Sequence, residues 1–195
     1  FYENIDIFIL KDGKKVRHIH SGDHIHPNKR DVKHRNYLFK LLLSKNEIYD
    51  VFIKVQNRQI MVFPLTVRSI SSTSQKIQTE YIFLGIFYGF IIIMIFYNFF
   101  IFISIKGASY LYYIGYIFSY MWWQLSYNGL GYVYIWSGFP EFTGLSRLYF
   151  SSLTLLFLLL FSRKFLFIKD NSKILDRLFL VLISCAGLLF LLTLL

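Results

Sequence analysis

Four histidines near the start of the chain are the side chains best suited to bind a metal ion. They are His18, His20, His24 and His26, within the stretch HIHSGDHIHP. Alternation along a strand places His18 and His20 on one face, and a turn through residues 21–23 could bring His24 and His26 opposite them. Four imidazoles in that arrangement would suit zinc or copper. A pH-sensitive surface and a solvated polar hairpin are the competing interpretations, and the hairpin is the commonest outcome for such pairs.

No catalytic arrangement is visible in the rest of the sequence. The acidic residues Asp23, Asp31, Glu47 and Asp50 are scattered through turns and strands of a predicted β segment. The chain has no nucleophile elbow, no phosphate-binding glycine-rich loop and no HExxH motif. Its single cysteine, Cys185, lies in an apolar run and excludes an intrachain disulfide. We therefore expect neither an enzymatic activity nor a cofactor in this chain.

Short runs of β-branched and aromatic residues must position the histidines. Turn-forming residues separate these runs, as in consecutive antiparallel strands. The runs cover residues 5–10, 14–20, 36–43, 48–55 and 60–67. Strands of this length and spacing are typical of a sandwich or barrel, and Pro64 would lie at an edge or a bulge. Five strands are few for a complete sandwich, so residues 1–68 are predicted to be the C-terminal part of a larger all-β, jelly-roll-like domain.

Long apolar runs after residue 80 predict a bundle of membrane-spanning helices. The chain is 55% hydrophobic and only 16% charged, whereas soluble domains average about 25% charged residues. Residues 81–105 contain no charge and, at about 1.5 Å per residue, could cross roughly 30 Å of hydrocarbon. About four spans are predicted, over residues 81–105, 108–126, 142–162 and 178–195. The Ser- and Thr-rich residues 69–80 are interpreted as a juxtamembrane linker.

The distribution of charge predicts how the chain lies in the membrane. The loop between the third and fourth spans carries several Lys and Arg residues and should face the cytoplasm. Counting back, residues 1–80 and the loop between spans two and three lie outside, which fits a multi-pass protein of the inner (cytoplasmic) membrane. The net charge of +10 does not indicate nucleic-acid binding, because the front of the chain mixes both signs and lacks a basic, aromatic-rich motif. The lipid bilayer is the expected partner.

Three residues of the first span are candidates for helix packing. Gly85 and Gly89 form a small-xxx-small pair that lets another helix approach closely, and a homodimer is one way to use it. Asn98 is an amide in an otherwise apolar helix, and interhelical hydrogen bonding is the commonest use of such a group. A polar role in signalling or ligand binding is the alternative for Asn98.

The order of these elements resembles the bacterial seven-transmembrane receptors with diverse intracellular signalling modules. The first span matches that family's opening motif and its central Tyr-Asn pair, the second matches its aromatic start, and the outer loop matches its spaced glycines and tryptophan. The matching positions are Gly85, Tyr88, Gly89, Tyr97, Asn98, Ser109 to Tyr113, Gly129, Gly131 and Trp136. The front of the chain resembles the end of the family's second type of extracellular domain, which is a jelly-roll-like sandwich suspected of binding carbohydrate.

The resemblance implies a sensor that binds a small molecule or carbohydrate outside the cell and relays the change to a cytoplasmic kinase, cyclase or phosphatase domain. Such an output domain is absent from these 195 residues, and three or so further spans are also implied. The chain opens with Phe1 and stops within an apolar run, so we expect it to be a fragment. No ligand-contacting residue can be assigned by the resemblance. A transporter or channel component with an outer β cap and a membrane-anchored assembly subunit are the alternative functions.

Overall fold

A computed structural model describes residues 3–23, 25–57 and 63–193 of the chain. Contacts within the chain divide it into two compact units. The first, here called the β unit, comprises Phe1–Pro64 and Ser126–Gly144. The second, here called the helical unit, comprises Leu65–Leu125 and Leu145–Leu195. A stretch that joins two of the helices in sequence therefore packs as part of the β unit.

Three antiparallel strands form the sheet of the β unit. They are β1 (Asn4–Lys11), β2 (Lys14–Ser21) and β3 (Asp50–Gln56), with β1 in the centre. β1 and β2 form a hairpin because Asp12 and Gly13 both adopt positive φ, at 52° and 72°. Two-residue turns of this kind match the twist of the flanking strands.

The core of the β unit lies on one face of this sheet. Ile5, Ile7 and Ile9 alternate along β1 and are almost completely buried, together with Ile19 of β2. Partly buried side chains cover them, namely Tyr37, Phe39, Leu41, Tyr49, Ile53 and Val55. Full burial of an aliphatic side chain contributes roughly 1.5–3 kcal/mol, so this small cluster is the main apolar contribution to the stability of the sheet.

Residues 36–43 do not form the strand that their aromatic and aliphatic composition predicts. Tyr37, Phe39 and Leu41 pack on the core, but the backbone does not join the sheet. The Lys40 N–H instead donates to Asp31 Oδ2 at 2.6 Å, and the Lys40 carbonyl accepts from Arg17 Nη1 at 2.9 Å. Side chains thus replace the neighbouring strand as hydrogen-bond partners of this segment.

The last predicted strand, residues 60–67, falls partly outside the described residues. Residues 63–67 are described and do not form a strand. Pro64, which cannot donate to a ladder, lies within them. The predicted class is confirmed as a small antiparallel sheet followed by a helical region, with one three-stranded sheet in the described part of the chain.

Helices make up nearly all of the described chain after residue 69. They are α1 (Ile70–Ile105), α2 (Ala108–Tyr127), α3 (Leu130–Tyr134), α4 (Pro140–Phe165), α5 (Ile168–Asn171) and α6 (Lys173–Leu192). Within the described residues, three helices are long and apolar enough to cross a membrane: α1, α4 and α6. α2 occupies the place of the second predicted span and has the length, but its many tyrosines make it less apolar. Three of the four predicted spans are therefore seen by these criteria.

α1 begins eleven residues before the predicted start of its span. Ser69 caps the helix, because its Oγ accepts from the Ser72 N–H at 3.3 Å and its carbonyl accepts from Thr73 Oγ1 at 2.9 Å. Residues 69–80 contain neither Gly nor Pro, so nothing in them interrupts a helix. The residues interpreted as a linker are thus the first turns of α1.

Aromatic side chains pack α2 against α4 within the helical unit. A Cβ added to Gly115 would lie 2.6 Å from the ring of Phe157, so this glycine permits the close approach of that ring. Near the other end of α2, the rings of Trp122 and Phe150 stack with their centroids 5.6 Å apart. The two helices therefore contact each other through these aromatic rings.

Candidate functional site

His18 and His20 lie on one face of β2 and share one partner on β1. His18 Nε2 is 2.9 Å and His20 Nδ1 is 2.8 Å from the same atom, Asp6 Oδ1. The strand register explains this geometry, because Asp6 pairs with His20 and the next residue on that face, Phe8, pairs with His18. Sequence alternation and strand pairing together thus build a His–Asp–His group.

The two imidazoles change the electrostatics of the carboxylate between them. The hydrogen bond with His20 is the largest influence and lowers the pKa of Asp6, burial acts in the opposite sense, and His18 lowers it further. Ionised Asp6 is therefore the favoured form in the folded protein. Because it accepts from two rings that remain partly exposed, the group can exchange hydrogen bonds with water or with a polar ligand.

The structure does not gather the predicted histidines into a metal site. The described residues contain no group of three or more His, Cys, Asp or Glu side chains arranged to hold a metal ion. His18 and His20 both direct a nitrogen at the same oxygen of Asp6, so one nitrogen of each ring is already hydrogen-bonded. His26 serves a local turn, since its Nδ1 accepts from the Asn28 N–H at 3.2 Å. His24 lies outside the described residues.

Aromatic rings share the outer face of the sheet with the His–Asp–His group. Phe8 lies opposite Phe52 of β3, and the ring of His18 stacks on Phe8 with a centroid distance of 4.5 Å. Phe52 is 59% exposed, although apolar rings are usually buried. We call Asp6, Phe8, His18, His20 and Phe52 the sheet platform. Exposed rings beside hydrogen-bonding groups are the usual lining of small-molecule sites.

A second group of residues lies around a buried arginine, between β2 and β3 in sequence. Arg30 is only 9% exposed, and its guanidinium carbon lies 4.6 Å from the ring centre of Tyr37 and 5.2 Å from that of Tyr132. Its Nη2 donates to the carbonyl of Gly22 at 3.2 Å, whereas its buried Nε has no hydrogen-bond partner among the described residues. Tyr37 in turn donates its hydroxyl to the Asp23 carboxylate. The positive charge is therefore held mainly by two aromatic faces.

Tyr132 reaches this arginine from a distant part of the sequence. It belongs to the short helix α3, in the loop between α2 and α4, and is 2% exposed. Its hydroxyl lies 3.0 Å from the carbonyl oxygens of both Asp23 and Ile25 and shares its one proton between them. Burial raises the pKa of Tyr132, so the hydroxyl stays protonated and remains a donor. Residues more than one hundred positions apart are thereby joined within the β unit.

Two glycines shape the loop that carries Tyr132. Gly129 precedes α3 with a φ of 73°, a conformation that side chains rarely adopt. Gly131 lies against the indole of Trp136, where an added Cβ would be 2.0 Å from the ring. Trp136 itself is 7% exposed and meets Phe142 edge to face, with centroids 5.5 Å apart. The spaced glycines and tryptophan in the sequence therefore have a steric explanation.

Gly22 connects the arginine group to the sheet. A Cβ at this position would lie 2.1 Å from the backbone oxygen of Glu3, immediately before β1, so only glycine fits. The Gly22 carbonyl accepts from both Arg30 and the Ile25 N–H. The start of the central strand, the arginine and the Tyr132 contact thus form one continuous network.

Sequence reasoning did not identify Arg30, Tyr37 or Tyr132. A buried arginine leaves no periodic signal, and its two tyrosines lie 7 and 102 positions away in the sequence. The spaced glycines and tryptophan of the loop were the one available signal, since they indicated an ordered connection between two helices. That signal shows order but cannot show what the loop packs against.

Among the described residues, no side chain or neighbouring helix lies close to the two glycine candidates of α1. A Cβ on Gly85 or Gly89 would meet no atom within 4 Å beyond its own chain neighbours and helix backbone. Asn98 is 6% exposed, and its Nδ2 donates to the Met94 carbonyl of its own helix at 2.8 Å. This bond satisfies one polar group of the amide locally. The interhelical roles of the three residues stay predictions.

Comparison with known families gives two matches that follow one another along the chain. The family described as 7TM diverse intracellular signalling matches residues 80–195. A second family, described as 7TMR-DISM extracellular 2, matches residues 1–69. No curated protein and no solved structure matches the chain.

Proposed function

Since the chain belongs to the 7TM diverse intracellular signalling family, we propose that it is the sensing and membrane part of a bacterial receptor. Its β unit binds a ligand outside the cytoplasm, and its helices relay the change to a cytoplasmic output domain. The observation that carries the proposal is the order of the two matches, an extracellular domain followed directly by a receptor membrane domain. This order favours a receptor over a transporter or an assembly subunit.

The sheet platform supports a small molecule or carbohydrate as the ligand. Phe52 offers an exposed ring, and Asp6, His18 and His20 offer acceptors and donors on the same face. Sugars present apolar C–H faces and ring hydroxyls, which match an aromatic surface with polar groups beside it. The ligand therefore would lie across β1 and β3, over Phe52.

The direct test of ligand binding uses the full chain in lipid nanodiscs. A panel of mono- and oligosaccharides is titrated by calorimetry against the native protein and Phe52→Ala. We expect saturable binding of at least one sugar, weakened tenfold or more by the substitution. Val67→Ala is the control, because it removes an exposed apolar side chain that is not part of the platform. Equal binding by native protein and Phe52→Ala would place the ligand elsewhere.

An inner-membrane location with the β unit outside completes the proposal. The end of α4, the short helix α5 and the start of α6 carry Lys164, Lys169 and Lys173, and cytoplasmic loops and helix ends are usually rich in such residues. Cys185 is the only cysteine, so Cys185→Ser gives a background in which single cysteines report sidedness. In intact cells, a membrane-impermeant maleimide should label Lys45→Cys and leave Lys169→Cys unlabelled. The reverse pattern would invert the topology and exclude an outer sensor.

A further inference from the structure

We propose that the loop between α2 and α4, which packs within the β unit, is a second coupling element of this receptor and is fastened by Tyr132, beside Arg30, to the segment that follows β2. The inference rests on the proposed function in one respect, that the β unit is the sensing part. A change in the β unit then reaches α2 and α4 through this loop, in parallel with the direct continuation of the chain into α1.

Burial shows that the loop is packed and not merely a connection. Leu130, Gly131, Tyr132 and Val133 are consecutive residues of α3, and all four are buried. Connections usually run over the surface, because their backbone groups need water. Four consecutive buried residues in so short a helix indicate that α3 is part of the packing of the β unit, where the contacts of the chain place it.

The Tyr132 contact depends on the position of the backbone at Asp23 and Ile25. Its hydroxyl donates to two backbone carbonyls, those of Asp23 and Ile25, at 3.0 Å each. Because the acceptors belong to the backbone, the contact reports where the chain runs between β2 and the turn at Pro27–Lys29. A movement of this segment by one or two ångströms would break both hydrogen bonds.

Arg30 makes the docked arrangement sensitive to change. The guanidinium is nearly buried, and its described partners include the Gly22 carbonyl, the rings of Tyr37 and Tyr132, and the Tyr132 hydroxyl. Its Nε has no hydrogen-bond partner in the described part of the chain. A buried charge with incomplete hydrogen bonding is costly. Withdrawal of Tyr132 would let water reach Arg30, which offsets part of the free-energy cost of releasing the loop.

The same segment is tied to the sheet that carries the platform. Gly22 packs against the backbone of Glu3 at the start of β1, and its carbonyl accepts from Arg30. Asp6, the acceptor for both histidines, lies three residues further along the chain. A displacement of β1 on ligand binding therefore moves the partners of Tyr132 directly.

The chain transmits such a movement to two helices at once. Tyr132 follows the end of α2 by five residues and precedes the start of α4 by eight. Much of this short interval is α3 and the buried Trp136, so it has little slack. α2 and α4 also pack on each other, so they would shift together and carry the movement to the far end of α4.

The experiment removes one oxygen atom from the full chain in nanodiscs. Tyr132→Phe keeps the ring over Arg30 but loses the hydroxyl, and the loss of such a hydrogen bond shifts an equilibrium by about fivefold. We expect amide hydrogen exchange of residues 128–136 and 22–30 to accelerate by about that factor. A nitroxide at Lys169→Cys, in the Cys185→Ser background, should also change its spectrum, because residue 169 follows α4 closely.

Two further variants sharpen the result. Tyr97→Phe is the matched control, because it removes the same hydroxyl from a ring of α1 that is 60% exposed, and it should leave both readouts unchanged. Arg30→Lys keeps the charge but loses the flat guanidinium, and it should also accelerate the exchange and change the nitroxide spectrum.

Two outcomes would overturn the proposal. Unchanged exchange in Tyr132→Phe would mean that the hydroxyl does not fasten the loop. Faster exchange with an unchanged nitroxide spectrum would mean that the loop is fastened but transmits nothing to α4. Neither readout uses a ligand, so a failure here is distinct from a failure of sugar binding or of the outer location of the β unit.

Discussion

Gly131→Ala is predicted to loosen the α2–α4 loop, although the same change usually stabilises a helix. Alanine is favoured over glycine inside a helix by up to about 1 kcal/mol. At Gly131, however, the new Cβ would lie 2.0 and 2.1 Å from two atoms of the Trp136 indole, well inside contact distance. The ring must move, and overpacking of this kind costs about 1–3 kcal/mol.

The expected balance is therefore a local destabilisation of about 1–2 kcal/mol, which corresponds to a rise of roughly five- to thirtyfold in the opening equilibrium. Hydrogen exchange of residues 128–139 measures this opening directly in the full chain. Trp136 is 7% exposed, so its displacement into water should also shift the tryptophan fluorescence emission to longer wavelength.

Gly144→Ala is the matched control for this prediction. Gly144 lies in α4, and an added Cβ there would meet no atom within 4 Å beyond its chain neighbours and helix backbone. Exchange in the first turns of α4 should therefore slow or stay the same. If Gly131→Ala also slowed or preserved exchange in the loop, Trp136 could not lie over Gly131 and the steric account of the loop would be wrong.

Three further predictions concern the β unit, each read from hydrogen exchange of its strands. Folding lowers the pKa of Asp6 from its usual 3.8, mainly through the hydrogen bond with His20. The ionised carboxylate therefore stabilises the folded protein at pH values above 3.8, and this contribution should vanish as the pH falls through the lower pKa of the folded state. Asp6→Asn should remove this acid dependence, and an unchanged profile would contradict the assignment. Gly22→Ala should destabilise β1 by about 1–3 kcal/mol, since its Cβ would lie 2.1 Å from the backbone oxygen of Glu3. Unchanged hydrogen exchange of β1 would show that the close approach is absent. Asp31→Ala should cost about 2 kcal/mol, because the carboxylate accepts from the Lys40 N–H at 2.6 Å, and Asp31→Asn should restore only part of that loss.

The strands that pair were predictable, and the segment that mimics a strand was not. The runs 5–10, 14–20 and 48–55 lie within β1, β2 and β3 to within two residues, because alternation and turn residues agree there. Residues 36–43 are also rich in aromatic and aliphatic residues but form no ladder, since Asp31 and Arg17 satisfy the backbone of Lys40. Hydropathy reports which side chains are buried but not what the backbone bonds to.

The helices show a similar division between hydropathy and capping. Absence of charge marks the part of α1 suited to hydrocarbon, but the helix begins at Ile70 because Ser69 caps it. α2 was predictable as a helix, yet its tyrosines separate it from the more apolar α1, α4 and α6. The length of a helix and the length of a membrane span are thus different quantities.

The candidate sites were predictable only where one strand sets the spacing. His18 and His20 share a face because they are two residues apart, and the hairpin register supplies Asp6. The contact of Tyr132 with the chain around Arg30 depends on tertiary packing across a hundred residues. No local pattern in a single sequence encodes such a contact.

The central claim is that events at the outer β unit change the cytoplasmic side of the helices. Its most direct measurement places an environment-sensitive fluorophore at Lys169→Cys, in the Cys185→Ser full chain in nanodiscs, and adds the sugar panel. Relay through the helices predicts a saturable change in fluorescence with at least one sugar, lost in Phe52→Ala. Sugar binding by calorimetry with no fluorescence change at residue 169 would contradict relay through the helices.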